Sequence, residues 1–187
     1  QVGYLFLLFP LATGEAASAA PLAIVFHAIS HASAKAAMFM AAGSLMLAYG
    51  TDEIRALRGA AVRASAPALA FAIGAMVLIG LPPGGTFAAK WLLLSASFES
   101  GQWWWIPVVA AGTLLASAYL YRVLTVFMRS SGAEPPASAV RPMLAAPALA
   151  LAVAALLLTL AAPAVSGLLE RAPAPGMPAS LPGGGRP

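Results

Sequence analysis

The stretch "GLPPGGTFAAKW", residues 80–91, interrupts an apolar run that extends from Pro67 to Phe98. Its reading decides how many times the chain crosses a membrane. Pro82 and Pro83 lack N–H donors, and Gly84 and Gly85 loosen the backbone, so a helix must unwind here. The flanks, 67–81 and 86–98, are then either two short spans or the two halves of one broken span. At 1.5 Å per residue each half covers about 20 Å, well short of a hydrocarbon layer of about 30 Å. Charge supplies an independent criterion. With one broken span, Arg55, Arg58, Arg63, Arg129 and Arg141 all fall on one side, and the opposite short loops around Glu15 and Glu99 hold no Lys or Arg. With two spans the arginines divide three against two. The positive-inside rule therefore selects a single broken helix, with the five arginines in the cytoplasm.

The composition agrees with a membrane chain. Of 187 residues, 61% are hydrophobic and 9% charged, whereas a soluble domain is about one quarter charged. The mean hydropathy is +0.87. With no cysteine, disulfides, thiolate chemistry and cysteine-ligated clusters are excluded. The net charge of +4 resides mostly in connections, where topology accounts for it, and does not point to nucleic acid. The expected fold is all-α: a polytopic transmembrane bundle over residues 1–169 with one discontinuous helix. Its segments are a partial one at 1–12, then 19–49, the broken 67–98, 103–127 and 143–169. Trp103, Trp104 and Trp105 open the fourth as an interfacial belt. Residues 170–187, mostly "APAPGMPASLPGGGRP", form a Pro/Gly-rich tail expected to be disordered. The chain opens on Gln1 at full hydrophobicity with no basic flank, unlike a signal peptide. It is expected to begin inside a transmembrane helix, as a piece of something longer.

A second stretch, "FHAISHASAKAAMF" (26–39), places His27, His31 and Lys35 four residues apart. At 100° per residue they share one helix face, with a rise of about 6 Å between neighbours. That spacing suits side chains bridged by water. A charge in the bilayer interior costs at least about 2.5 kcal/mol, so such groups usually face a cavity or a partner. Three readings are open. The histidines can hydrogen-bond neighbouring helices while Lys35 meets a carboxylate. His27 and His31 have a metal- or haem-ligand spacing, although no acidic or cysteine companion lies in the segment. Or the three groups pass protons or ions along the face.

Lys90 raises the same question at the helix break. Non-helical backbone at membrane depth survives only where it lines a cavity or is buried in protein, and broken helices place ion sites near the midplane of transporters. Thr86 is the expected N-cap of the resuming helix, which sets Lys90 one turn on, beside that helix's positive end. The bland alternative is a lysine that snorkels outward as an anchor. Arg122, in "SAYLYRVLTVF", lies near the cytoplasmic end of its span and reads as an anchor or a partner for an acidic group.

Taken together these motifs resemble a family. "FHAISHASAKAAMF" resembles the H-x-x-x-H-x-x-x-K-A-x-x-F segment of the antiporter-like membrane subunits of respiratory complex I (NADH-quinone oxidoreductase), Mrp-type cation/proton antiporters and membrane-bound hydrogenases. "QVGY" is similar to the end of their S-x-x-Q-x-G-Y motif, "GLPPGGTFAAKW" to G-x-P-P-x-x-G-F-x-x-K, and "SAYLYRVL" to the following Y-x-x-R helix. The match runs in unbroken order to about residue 169. The resemblance implies the C-terminal half of such a subunit, a half-channel translocating protons, or sodium coupled to protons. Lys90 would be its broken-helix lysine, with His27, His31 and Lys35 as the relay; no cofactor, metal site or stand-alone catalysis is implied. Its partners would be other membrane subunits, the missing N-terminal half among them, and its place the bacterial inner membrane. Two departures accompany the match. The family's earlier inverted repeat is lacking, and Thr86 stands where Gly usually precedes Phe. The chain also ends soon after its last span, without a long lateral helix, which resembles the shorter, Mrp-like members. The rival reading keeps the fold in a structural or assembly subunit that conducts nothing.

Overall fold

The computed structural model describes residues 2–11, 20–129 and 135–161. The expected tail at 170–187 and the last part of the expected fifth segment lie outside them. Seven α-helices are present among the described residues: α1 (Gly3–Leu11), α2 (Ala20–Tyr49), α3 (Ala60–Arg63), α4 (Ser65–Ile79), α5 (Gly85–Glu99), α6 (Trp105–Met128) and α7 (Pro142–Leu157). Short 3-10 turns cover Ile54–Leu57 and Leu158–Ala161.

The 30-residue α2, about 45 Å long at the standard rise, is the spine on which the rest assembles. Successive contacts along it run in the opposite direction along α4 and then α5. Leu45 packs with Ala64 and Ala68, and Ala41 and Ala37 pack with Ala70. Ala34 and Met38 follow against Ala75, Ser30 against Gly85, and Ala23 against Leu93 and Ala96. The two 15-residue helices therefore lie end to end beside one continuous neighbour. They occupy the place of a single broken span, as the arginine distribution requires.

The connection after α2 and the one before α7 meet at the same end of the bundle. Ser138 donates its backbone N–H to the Ala48 carbonyl (2.9 Å) and its hydroxyl to that of Leu47 (3.1 Å). These are carbonyls that the last turn of a helix leaves unpaired. Val140 packs beside Tyr49, Leu57 and Phe127. Both arginine-bearing connections thus share one face of the molecule.

Small residues make the close packing possible. Buried Ala34, Ala37 and Ala41 of α2 and Ala145, Ala148, Ala152 and Ala155 of α7 recur at helical spacing. In lipid such stripes bring backbones together, because van der Waals contact rather than water exclusion drives association. Gly74 of α4 belongs to the same set: a Cβ there would lie 3.1 Å from the Ala34 carbonyl oxygen. Among the described residues α6 alone is long and apolar enough to cross a membrane by itself. α2 is longer, but His27, Ser30, His31 and Lys35 dilute its hydropathy, and α4 and α5 are each half a span. The fold is an all-α polytopic transmembrane bundle with one discontinuous helix.

Candidate functional site

The break between α4 and α5 is built by a specific end and a specific start. Gly80 takes the left-handed conformation (φ 87°) and donates to the Val77 carbonyl (3.0 Å), while the Leu81 N–H reaches the Met76 carbonyl (3.1 Å). This is a Schellman closure, for which glycine is favoured because it lacks a Cβ. The chain then passes Pro82 and Pro83, joined by a cis peptide bond, and enters α5 with Gly84 extended at its N-cap.

Thr86 is not that cap. Its hydroxyl donates across the break to the Val77 carbonyl, and its backbone N–H is taken by Ser30 Oγ of α2 (3.2 Å). An orphan donor of the first turn of α5 is therefore satisfied by another helix rather than by its own N-cap. Gly85 allows this approach, since a Cβ there would fall 2.9 Å from Ser30 Cβ.

Lys90 lies inside the bundle, with 7% of its surface exposed, so the outward anchor is not what the structure contains. Helical side chains tilt toward the N-terminus, and this carries its ammonium back across the break. There it donates to the Ile79 carbonyl (2.7 Å) and to Thr113 Oγ1 of α6 (3.0 Å). The charge thus sits at the carbonyl end of α4, where a helix favours a cation. Gly80 shapes this pocket too: a Cβ would stand 3.0 Å from Lys90 Cδ and Nζ.

From Lys90 the polar groups continue into α2. The Tyr4 ring of α1 lies 5.5 Å from the ammonium and 5.9 Å, edge-on, from the His27 ring. Tyr4, His27, Ala89, Lys90 and Leu93 line a small, partly open space of about 10 Å³, near the smallest volume that holds one water. His27 is 2% exposed, and its ring stacks on that of His31 at 5.8 Å. His31 is half-buried, with a buried Nδ1 that has no hydrogen-bond partner among the described residues. Lys35 is exposed, its ammonium 5.7 Å over the Phe39 ring. The structure therefore brings Lys90, His27 and His31 into one line and leaves Lys35 at its outer end.

Three members of the site have no signal in residue spacing. Thr113 is one of several hydroxyl-bearing residues in α6 and nothing in the sequence sets it apart, the Ile79 carbonyl is backbone, and Tyr4 comes from a helix remote in sequence. Tyr4 alone could have been suspected, because it belongs to the quoted "QVGY" motif.

Comparison with known proteins places this chain in a family. The family model described as NADH:quinone oxidoreductase/Mrp antiporter, TM, matches residues 1–116. The NADH-quinone oxidoreductase subunit N of Desulforudis audaxviator is 32% identical over 143 residues, covering 76% of this chain and 28% of that protein. The F(420)H(2) dehydrogenase subunit L of Methanosarcina mazei is 33% identical over 142 residues, 71% of this chain and 21% of that one. A chain in the structure of the Mrp complex from Dietzia sp. DQ12-45-1b superposes with a TM-score of 0.76 at 26% identity, covering 89% of this chain and 39% of its own length. The chain thus spans less than a third of each of the two curated relatives named here. With a family match that takes in the "QVGY" run, the His/Lys helix and the whole broken span, this chain belongs to the NADH:quinone oxidoreductase/Mrp antiporter transmembrane family.

Proposed function

We propose that this chain carries protons across a bacterial inner membrane as part of an antiporter-like subunit in a larger complex. The path would run from Thr113 and Lys90 past Tyr4 to His27 and His31, and outward to Lys35. One observation carries the reading: a buried lysine at a helix break whose two hydrogen-bond partners are neutral. A carboxylate partner would hold the ammonium permanently charged. The Thr113 hydroxyl both accepts and donates, so it can receive an ammonium N–H or donate to the lone pair of the neutral amine. Either state of Lys90 keeps a partner, which is what a group that gains and loses a proton in apolar surroundings needs.

Lys35 supports an assembly. An exposed ammonium in the middle of a transmembrane helix faces a partner or a cavity, and another membrane subunit, or the remaining length of the antiporter-like protein, would supply it. Redox or other driving chemistry would reside in partner subunits.

The test is proton uptake by vesicles containing the whole complex. Lys90→Met and His27→Ala should each assemble normally and lower uptake at least tenfold. Normal uptake in both variants would favour a structural subunit that conducts nothing, and sodium-dependent uptake in the wild type would add sodium as the coupled ion.

A further inference from the structure

A second concave site lies at the arginine-bearing end of the bundle, and none of its lining residues belongs to the path above. A cleft of about 500 Å³ opens between the turn after α2 and the last turns of α6. Arg55 and Arg58 line one wall, and Tyr119, Arg122, Thr125 and Arg129 line the other. Among the described residues no carboxylate lines it. Among the described residues, none of the four guanidinium groups has a hydrogen bond or ion pair. Four cations around one cleft repel each other unless an anion enters, and a guanidinium fork matches phosphate oxygens bidentately.

The face of α6 below the cleft discriminates among anions. Tyr119, Arg122, Val126 and Arg129 recur at helical spacing, so they share a stripe. Followed toward the middle of the helix, that stripe reaches Leu115, which is 73% exposed. It lies about 6 Å along the axis from Tyr119, before Tyr4 of α1 covers the helix at Gly112. A basic cleft at the membrane boundary, an amphipathic Tyr at its lip and an apolar track beneath it match the parts of an amphiphile in order. A free anion would need no track.

We propose that this cleft binds the phosphate of an anionic phospholipid headgroup, with an acyl chain lying along the outer stripe of α6. The assignment rests on the transmembrane fold and is independent of the proton path. The experiment uses the whole complex in phosphatidylcholine vesicles containing a trace of photoactivatable phosphatidylglycerol or photoactivatable phosphatidylcholine, with labelled peptides mapped by mass spectrometry. In the wild type the anionic probe should label residues 105–129 about tenfold more than the zwitterionic one. Millimolar inorganic phosphate should not displace it. The paired change Arg122→Gln/Arg129→Gln should abolish the preference, while Arg122→Lys/Arg129→Lys should keep part of it. Equal labelling by the two probes in the wild type, a result that needs no variant, would overturn the proposal. So would full displacement by inorganic phosphate, which would make this a free-phosphate site. Cross-linking of the cleft to an acidic segment of another subunit, with no lipid labelling, would overturn it in favour of a protein contact.

Discussion

At the scale of single residues, the site depends on what holds Lys90. Its ammonium caps a carbonyl that the Schellman closure of α4 leaves over, and Thr113 supplies the second acceptor. Thr113→Val keeps the shape and removes the hydroxyl. A hydrogen bond to a charged group contributes about 1.5–3 kcal/mol, so uptake by the whole complex should fall by roughly tenfold or more, with Thr113→Ser restoring most of it. An unchanged rate in the valine variant would remove Thr113 from the site. Gly80→Ala tests the other wall, since its left-handed backbone strains any side chain and a Cβ 3.0 Å from the lysine would push the lysine side chain out of its place. That variant should assemble and transport poorly; normal transport would mean that Lys90 has another resting position. His27, His31, Lys35 and Lys90 were legible as candidates because ionisable groups stand out in apolar sequence. Thr113 and the Ile79 carbonyl were not, because one hydroxyl among the several of α6 and a backbone oxygen carry no pattern until the break folds the chain back.

At the scale of elements, the two arguments about the broken span are independent and agree. The arginine count depends on the membrane, whereas the end-to-end packing of α4 and α5 along α2 depends on side-chain contact. The natural absence of cysteine makes the topology simple to measure with single cysteines and a membrane-impermeant thiol reagent. Asp52→Cys and Ala137→Cys should label from one side and Glu99→Cys from the other. Labelling of Asp52→Cys and Ala137→Cys from opposite sides would contradict the single broken span. The packing itself is exposed to Gly74→Val, whose added atoms would meet Met38 and the Ala34 carbonyl. Overpacking of this kind costs about 1–3 kcal/mol, so the complex should lose thermal stability while Gly43→Ala, with open space around it, should not. The break was readable from Pro82, Pro83, Gly84 and Gly85. The true cap was not, because the Thr86 hydroxyl serves α4 and its N–H is served by Ser30, a contact between residues 56 apart in sequence.

At the scale of the whole molecule, the bundle leaves two kinds of surface outward: Lys35 in mid-helix and the arginine cleft at one end. The first is costly for an isolated chain in lipid and reasonable for a subunit surrounded by others; the second lies at the membrane boundary, within reach of lipid headgroups. Fold class and family could be read from hydropathy, charge and motif order, since each is written along the chain. The turning outward of Lys35 could not, because four-residue spacing fixes a shared face but not how far that face wraps around a neighbour. The central claim is that Lys90 works by exchanging its proton, not by its charge alone. The direct measurement is proton uptake in vesicles holding equal amounts of the whole complex with Lys90 or with Lys90→Arg. Arginine keeps the positive charge but cannot lose a proton at any relevant pH. Uptake should be lost in the arginine variant while assembly is retained; full activity in that variant would contradict the account.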